Sequence, residues 1–153
     1  MEIRDLLQPE AVIADLKAAN KKQLLQELAR HASRITGIND RKIFETLFER
    51  ERLGSTGVGG GIAIPHGKLA DFRRLHGLFA RLERPLEFDA IDEQPVDLVF
   101  LLLAPEGAGA DHLKALARVS RLLRDASTCA KLRGAETADG LYLVLTQSEA
   151  QAA

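Results

Sequence analysis

Nine consecutive residues, Val96–Ala104, carry one charge, Asp97, and are otherwise wholly apolar. A bilayer span needs about 20 apolar residues, so the run is too short to cross a membrane. It is also too uninterrupted for a strand with one wet face. Such a segment reads as a central strand covered on both faces, which requires helices above and below the sheet. The expected class is therefore α/β. The chain has 153 residues, of which 46% are hydrophobic and 28% charged. That is an ordinary balance for one domain able to build a core without disulfides or metals.

The flanking pattern supplies the covering elements. Leu24, Leu25, Leu28, Ala32 and Ile35 recur at helical spacing over Lys21–Thr36, with Asn20 placed to cap the start and Gly37 to stop the end. A second helix is expected over about Arg41–Leu53, with Ile43, Phe44, Leu47 and Phe48 on its apolar face and Gly54 after it. Ala11–Leu16 and Leu75–Leu82 read as strands, and Ile62–Ile64 as a short extended piece. Beyond Pro105, Asp111 is expected to cap a helix with the stripe Leu113, Leu116, Ala117, Ser120 and Leu123, and Ser127–Leu132 to form a short one. In the tail, Leu141, Leu143 and Leu145 alternate like a strand.

Several function classes are excluded early. Lys and Arg total 21 against 22 Asp and Glu, with no basic block, so a nucleic-acid partner is not expected. Cys129 is the lone cysteine, which rules out an internal disulfide and a paired-cysteine metal knuckle and suits a reducing compartment. Glu2, Arg4, Asp5 and Glu10 leave no apolar stretch for a secretory signal. A cytoplasmic location without membrane insertion is expected.

The chemistry-bearing stretch is Gly54-Ser-Thr-Gly-Val-Gly-Gly-Gly61, followed by Ile-Ala-Ile-Pro-His66-Gly67. Five of the 12 glycines fall in its first eight residues. It is not a P-loop, because Gly61 and Gly67 are one residue too far apart and Leu69 stands where a Mg²⁺-binding hydroxyl belongs. Nor is it a dinucleotide fingerprint, since Ile62 or Ile64 occupies the third glycine position and a helix precedes it. The remaining phosphate chemistry puts His66 itself as acceptor, because a neutral imidazole has a lone pair free to attack phosphorus. Backbone amides of Gly57 and Gly59 are candidates to cradle the anion, the hydroxyls of Ser55 and Thr56 fit either phosphate ligands or turn-stabilising groups, and Arg50 or Arg52 is placed to face it. A zinc site at His66 and His112 lacks further ligands at recognisable spacing, so no metal and no cofactor is expected. A binding module holding a free anion is the non-transfer alternative.

The run Arg50–Gly67 resembles the phosphorylation-site signature of the mannitol/fructose-type enzyme IIA domains of the bacterial phosphoenolpyruvate-dependent phosphotransferase system. Phe88–Leu98 and Asp111–Leu116 resemble the nitrogen-regulatory branch of that family. The resemblance implies a three-layer α/β/α sandwich with a mixed sheet, and a helix over Glu136–Thr146 in place of the alternating strand. It implies that His66 takes a phosphoryl group from the phosphohistidine of an HPr-like carrier. Arg50 would be the active-site arginine and His112 a second active-site histidine. Regulatory partners such as potassium-transport or sensor-kinase components are implied. A sugar-specific component passing phosphate to a IIB domain is the alternative. Gly60 departs from the family pattern, where Arg or Asn is common.

Overall fold

A computed structural model describes residues 1–152 of the chain, and side chains as far as residue 147. Helix α1 (Ile3–Leu6) and a single 3₁₀ turn (Pro9–Ala11) lead into strand β1 (Val12–Leu16). Helix α2 (Lys21–Thr36) has the expected bounds: the Asn20 side chain accepts from the Gln23 amide at 2.9 Å, and Gly37 closes it at φ 78°. Helix α3 (Asp40–Arg52) is capped by the Asn39 side chain accepting from the Lys42 amide. Four strands follow before the long apolar run: β2 (Gly57–Gly59), β3 (Ile62–Ala63), β4 (His66–Leu69) and β5 (His76–Leu86).

The apolar run is β6 (Val96–Pro105), the middle of a six-stranded mixed sheet. One edge of β6 pairs antiparallel with β5, which carries β1 in parallel beyond it. The other edge is shared. Ile62 and Ala63 of β3 pair in parallel with Leu98 and Val99, and His66–Leu69 of β4 with Leu102–Pro105. β2 closes that side antiparallel to β3. Helices α2 and α3 pack together on one face. On the other lie α4 (Ala110–Arg124), α5 (Ala126–Gly134) and α6 (Ala138–Ala152). This is the three-layer α/β/α sandwich.

Both faces of β6 are dry: every residue from Val96 to Ala104 except Asp97 is at most 1% exposed. Phe79 and Phe100 meet edge to face across β5 and β6, with ring centroids 6.3 Å apart. The one charge buried in β5, Arg81, donates to the carbonyls of Leu132 and Ala135, holding the end of α5 against the sheet.

Two expectations are corrected. α4 starts at Ala110 with Gly109 as its cap (φ 53°), not at Asp111. Its buried stripe is His112, Ala115, Val119, Leu122 and Leu123, with Leu116 half-buried; Leu113 is 68% exposed and Ala117 exposed. The alternating leucines of the tail belong to a helix. Leu141 and Leu145, one turn apart, are buried, while Leu143 faces outward. The resemblance has this element right and the alternation has it wrong.

Candidate active site

Proline explains how His66 comes to stand where it does. β3 runs along β6 until Ile64, whose N–H turns instead to the Thr56 carbonyl at 3.0 Å. Pro65 has no N–H to give; its carbonyl accepts from Leu102, and the chain rejoins β6 at His66. The ring of His66 then folds back. Its Nδ1 lies 2.9 Å from the Ile64 carbonyl. A carbonyl only accepts, so Nδ1 carries the proton and Nε2 is left with the lone pair. Partial burial lowers the His66 pKa, as does the Arg50 charge to a smaller degree, against the opposing pulls of the Ile64 bond and Glu51. The ring is therefore neutral at pH 7 and nucleophilic at Nε2.

His112 faces it from the first turn of α4, 5.6 Å away between centroids and tilted by 52°. It is 5% exposed, and its buried Nδ1 has no hydrogen-bond partner. Burial lowers its pKa first, then the neighbouring His66 and Lys68.

The two arginines separate. Two positions on a helix differ by about 200° around its axis, so Arg50 and Arg52 point to opposite sides. Arg50 is half-buried, with Nη1 donating to the Gly54 carbonyl at 2.9 Å. Arg52 is exposed and pairs with Glu49.

The glycine loop is fastened by its own groups. The Ser55 hydroxyl donates to the Phe88 carbonyl and accepts from the Gly57 amide. Both the amide and the hydroxyl of Thr56 donate to Glu51. Gly60 donates to Asp92, and its carbonyl takes the Arg133 guanidinium. The carbonyl of Gly61 accepts from Asp97 and Leu98. The donors of Ser55, Thr56 and Gly57 are thus engaged within the fold, and a Cβ on Gly59 would meet the Asp92 carboxylate at 3.3 Å. For Ser55, Thr56 and Gly57 these internal partners fit a loop frame rather than donors free for an anion.

Sequence reasoning missed Glu51, the buried carboxylate of this frame, 8% exposed and 3.0 Å from the Lys21 ammonium. Its signal was there. Ile43, Leu47 and Glu51 follow one another at four-residue steps, so the acid continues the apolar stripe of α3. Beside the loop, Val58, Ile62, Ile64, Ile91 and Leu123 line a cleft of about 540 Å³. Val58 and Ile91 are 51% and 83% exposed. Among the described residues no group of three or more His, Cys, Asp or Glu could hold a metal ion, and no helix is long and apolar enough to cross a membrane.

A mixed sheet between two helical layers thus brings the rings of His66 and His112 face to face. Residues 5–148 match the family model described as "Phosphoenolpyruvate-dependent sugar phosphotransferase system, EIIA 2", and the chain belongs to that family. It is 59% identical over 153 residues to a nitrogen regulatory protein of Bradyrhizobium diazoefficiens, covering 100% of both chains. Among solved structures, the nitrogen regulatory protein IIA-Ntr of Neisseria meningitidis superposes with a TM-score of 0.89 at 36% identity, over 94% of this chain and 99% of that one. The IIA mannitol structure from Escherichia coli, at 20% identity and a TM-score of 0.77 over 90% and 97% of the two chains, shares the fold.

Proposed function

We propose that this chain accepts a phosphoryl group on Nε2 of His66 from the phosphohistidine of an HPr-like carrier, and that the phosphorylated and bare forms differ in the regulatory partners they bind. The observation that carries the proposal is the Nδ1 bond of His66 to the Ile64 carbonyl, which leaves Nε2 unprotonated on a ring that burial keeps neutral. In the transfer, the Nε2 lone pair forms the new N–P bond while the carrier's N–P bond breaks, its electron pair returning to the carrier ring. The Nδ1 proton stays in place. As the ring gains positive charge, its bond to Ile64 becomes charge-assisted and stronger. Phosphoryl transfer asks mainly for positioning and for charge opposite the equatorial oxygens. Arg50 supplies that charge, and His112 a ring nitrogen to hydrogen-bond the incoming group. Ser55, Thr56, Gly57 and Gly59 hold the loop from which this geometry hangs.

The regulatory destination is favoured over a sugar permease by the identity to nitrogen regulatory proteins along the whole chain. The switch is electrostatic. A phosphoryl group adds about −1.5 to −2 charges to a chain of net charge −1. Potassium-transport and sensor-kinase components are partner classes that this reading admits, and the shared compartment with the carrier is the cytoplasm. Exposed Val58 and Ile91 along the cleft offer an apolar docking rim. The test is incubation with a phosphorylated carrier, followed by mass spectrometry that locates the modified residue. One phosphoryl group on His66 is expected. Acid-labile label persisting in His66→Ala overturns the proposal, and efficient onward transfer to a sugar-system IIB domain replaces the regulatory reading with the sugar-specific one.

A further inference from the structure

Building on His66 as acceptor, the geometry points to Glu51 as a positioning residue that decides which nitrogen of His66 takes the phosphoryl group. Glu51 touches neither the ring nor any group that would meet phosphate. It acts through three hydrogen-bonded links in series. Its carboxylate accepts both donors of Thr56, the amide at 3.0 Å and the hydroxyl. The Thr56 carbonyl, fixed by this, accepts the Ile64 amide at 3.0 Å. The Ile64 carbonyl accepts Nδ1–H of His66 at 2.9 Å.

The far end of the series is anchored as well. The Lys21 ammonium lies 3.0 Å from Glu51, donates to the Phe88 carbonyl at 3.3 Å and sits 4.4 Å over the Phe88 ring. Phe88 is fully buried, and its carbonyl also takes the Ser55 hydroxyl. A buried carboxylate is costly unless its partners are complete, and here they are. The complete set ties the start of α2, the end of α3 and the 88–89 loop to the one peptide that aims the acceptor ring. Pro65 gives the Ile64–Pro65 peptide no N–H, so its carbonyl is held by the Nδ1 proton of His66, while the Thr56 carbonyl fixes Ile64 through the preceding peptide.

The chemical consequence is regiochemical. With the Ile64 carbonyl fixed, the proton stays on Nδ1 and the new N–P bond forms at Nε2. With it free to turn, the proton can occupy either nitrogen, and a lone pair at Nδ1 becomes available to the same phosphorus. The worth of one ordinary hydrogen bond corresponds to a shift of about fivefold in the tautomer ratio.

The experiment uses phosphoramidate, a small donor that needs no docking surface, on the full chain. Long-range ¹H–¹⁵N NMR reads the His66 tautomer before reaction, and ³¹P NMR separates Nε2- from Nδ1-phosphohistidine afterwards. Wild type is expected to give Nε2-phosphohistidine alone. Glu51→Ala is expected to shift the tautomer ratio about fivefold and to yield a visible Nδ1 product. Glu51→Gln, which keeps one acceptor, should fall between. Thr56→Val removes only the hydroxyl branch and should move the ratio in the same direction by less; it decides the matter should Glu51→Ala not fold. A folded Glu51→Ala, or in its stead Thr56→Val, with the wild-type tautomer ratio and only the Nε2 product overturns the inference. A wild-type chain that takes no phosphoryl group on His66 instead removes the acceptor reading, independently of Glu51.

Discussion

Gly61→Ala tests whether the glycine loop is a built structure or merely a flexible connection. Gly61 sits at φ 81°, where a Cβ costs about 1–2 kcal/mol. The added carbon would stand 2.5 Å from Nη2 of Arg133 and 2.8 Å from Oδ1 of Asp97. Those two atoms form one half of a fork in which Arg133 donates to both Asp97 oxygens at 2.8 Å and to the Gly60 carbonyl at 2.8 Å. The substitution therefore forces the fork open as well. The pair is part-exposed, so screening holds its loss to about 1 kcal/mol. The sum is about 2–3 kcal/mol, which at a urea slope of about 2 kcal/mol per molar lowers the unfolding midpoint by roughly 1–1.5 M. Gly37→Ala is the control, because Gly37 has φ 78° but nothing within 4 Å of its would-be Cβ. It should cost only the backbone share. A double-mutant cycle with Arg133→Ala then isolates the fork, and Gly61→Ala should be milder in that background. Equal losses for Gly61→Ala and Gly37→Ala would refute the argument that the loop is held by this contact.

Rapid-quench measurement of phosphoryl transfer from a carrier should rank Arg50→Ala below His112→Ala. Removing the charge opposite the phosphoryl oxygens should slow transfer about 10²-fold or more, while the histidine variant slows it without abolishing acceptance; wild-type rates for both would remove them from the site. All four histidines have pKa values lowered first by burial, so below about pH 6.5 the unfolded chain binds more protons than the folded one. Stability is thus full above that value and falls as pH drops through it, and His112→Gln should flatten that slope in urea titrations at a series of pH values; an unchanged slope would contradict the burial of His112. Phe100→Ala, at a fully buried ring packed on Phe79, should cost about 3–5 kcal/mol by the same titration, and a loss under about 1 kcal/mol would contradict a dry central strand.

The long elements were legible because their signals are local. Asn20 and Gly37 bound α2 by hydrogen bonding and handedness that any sequence context would preserve, and the dryness of β6 is written in its composition. α4 was misphased because an apolar residue was assumed to face inward. Leu113 faces out, and His112 takes the buried position in its place. The tail misled for a related reason. Spacing of two is shared by a strand and by a helix that exposes one leucine, and packing against β1 and α5 selects the helix. At the site, the proposed acceptor His66 could be read from the sequence with Pro65 before it, but the proton on its ring could not. That depends on the Ile64 carbonyl, set by Thr56 and Glu51 across the turn. The donors of Ser55, Thr56 and Gly57 were assigned to an anion because their internal partners, Phe88 and Glu51, come together only in the folded chain.

One consequence follows from the way β6 serves both β3 and β4 along a single edge. His66, the proposed acceptor, is stitched at Leu102, in a fully buried strand of the kind whose amides open last when a domain comes apart. The proposed phosphoryl acceptance is thereby tied to global cooperativity. On warming, the chain should keep its reactivity up to the melting transition and lose it together with the whole sheet, rather than fading earlier as a floppy loop would.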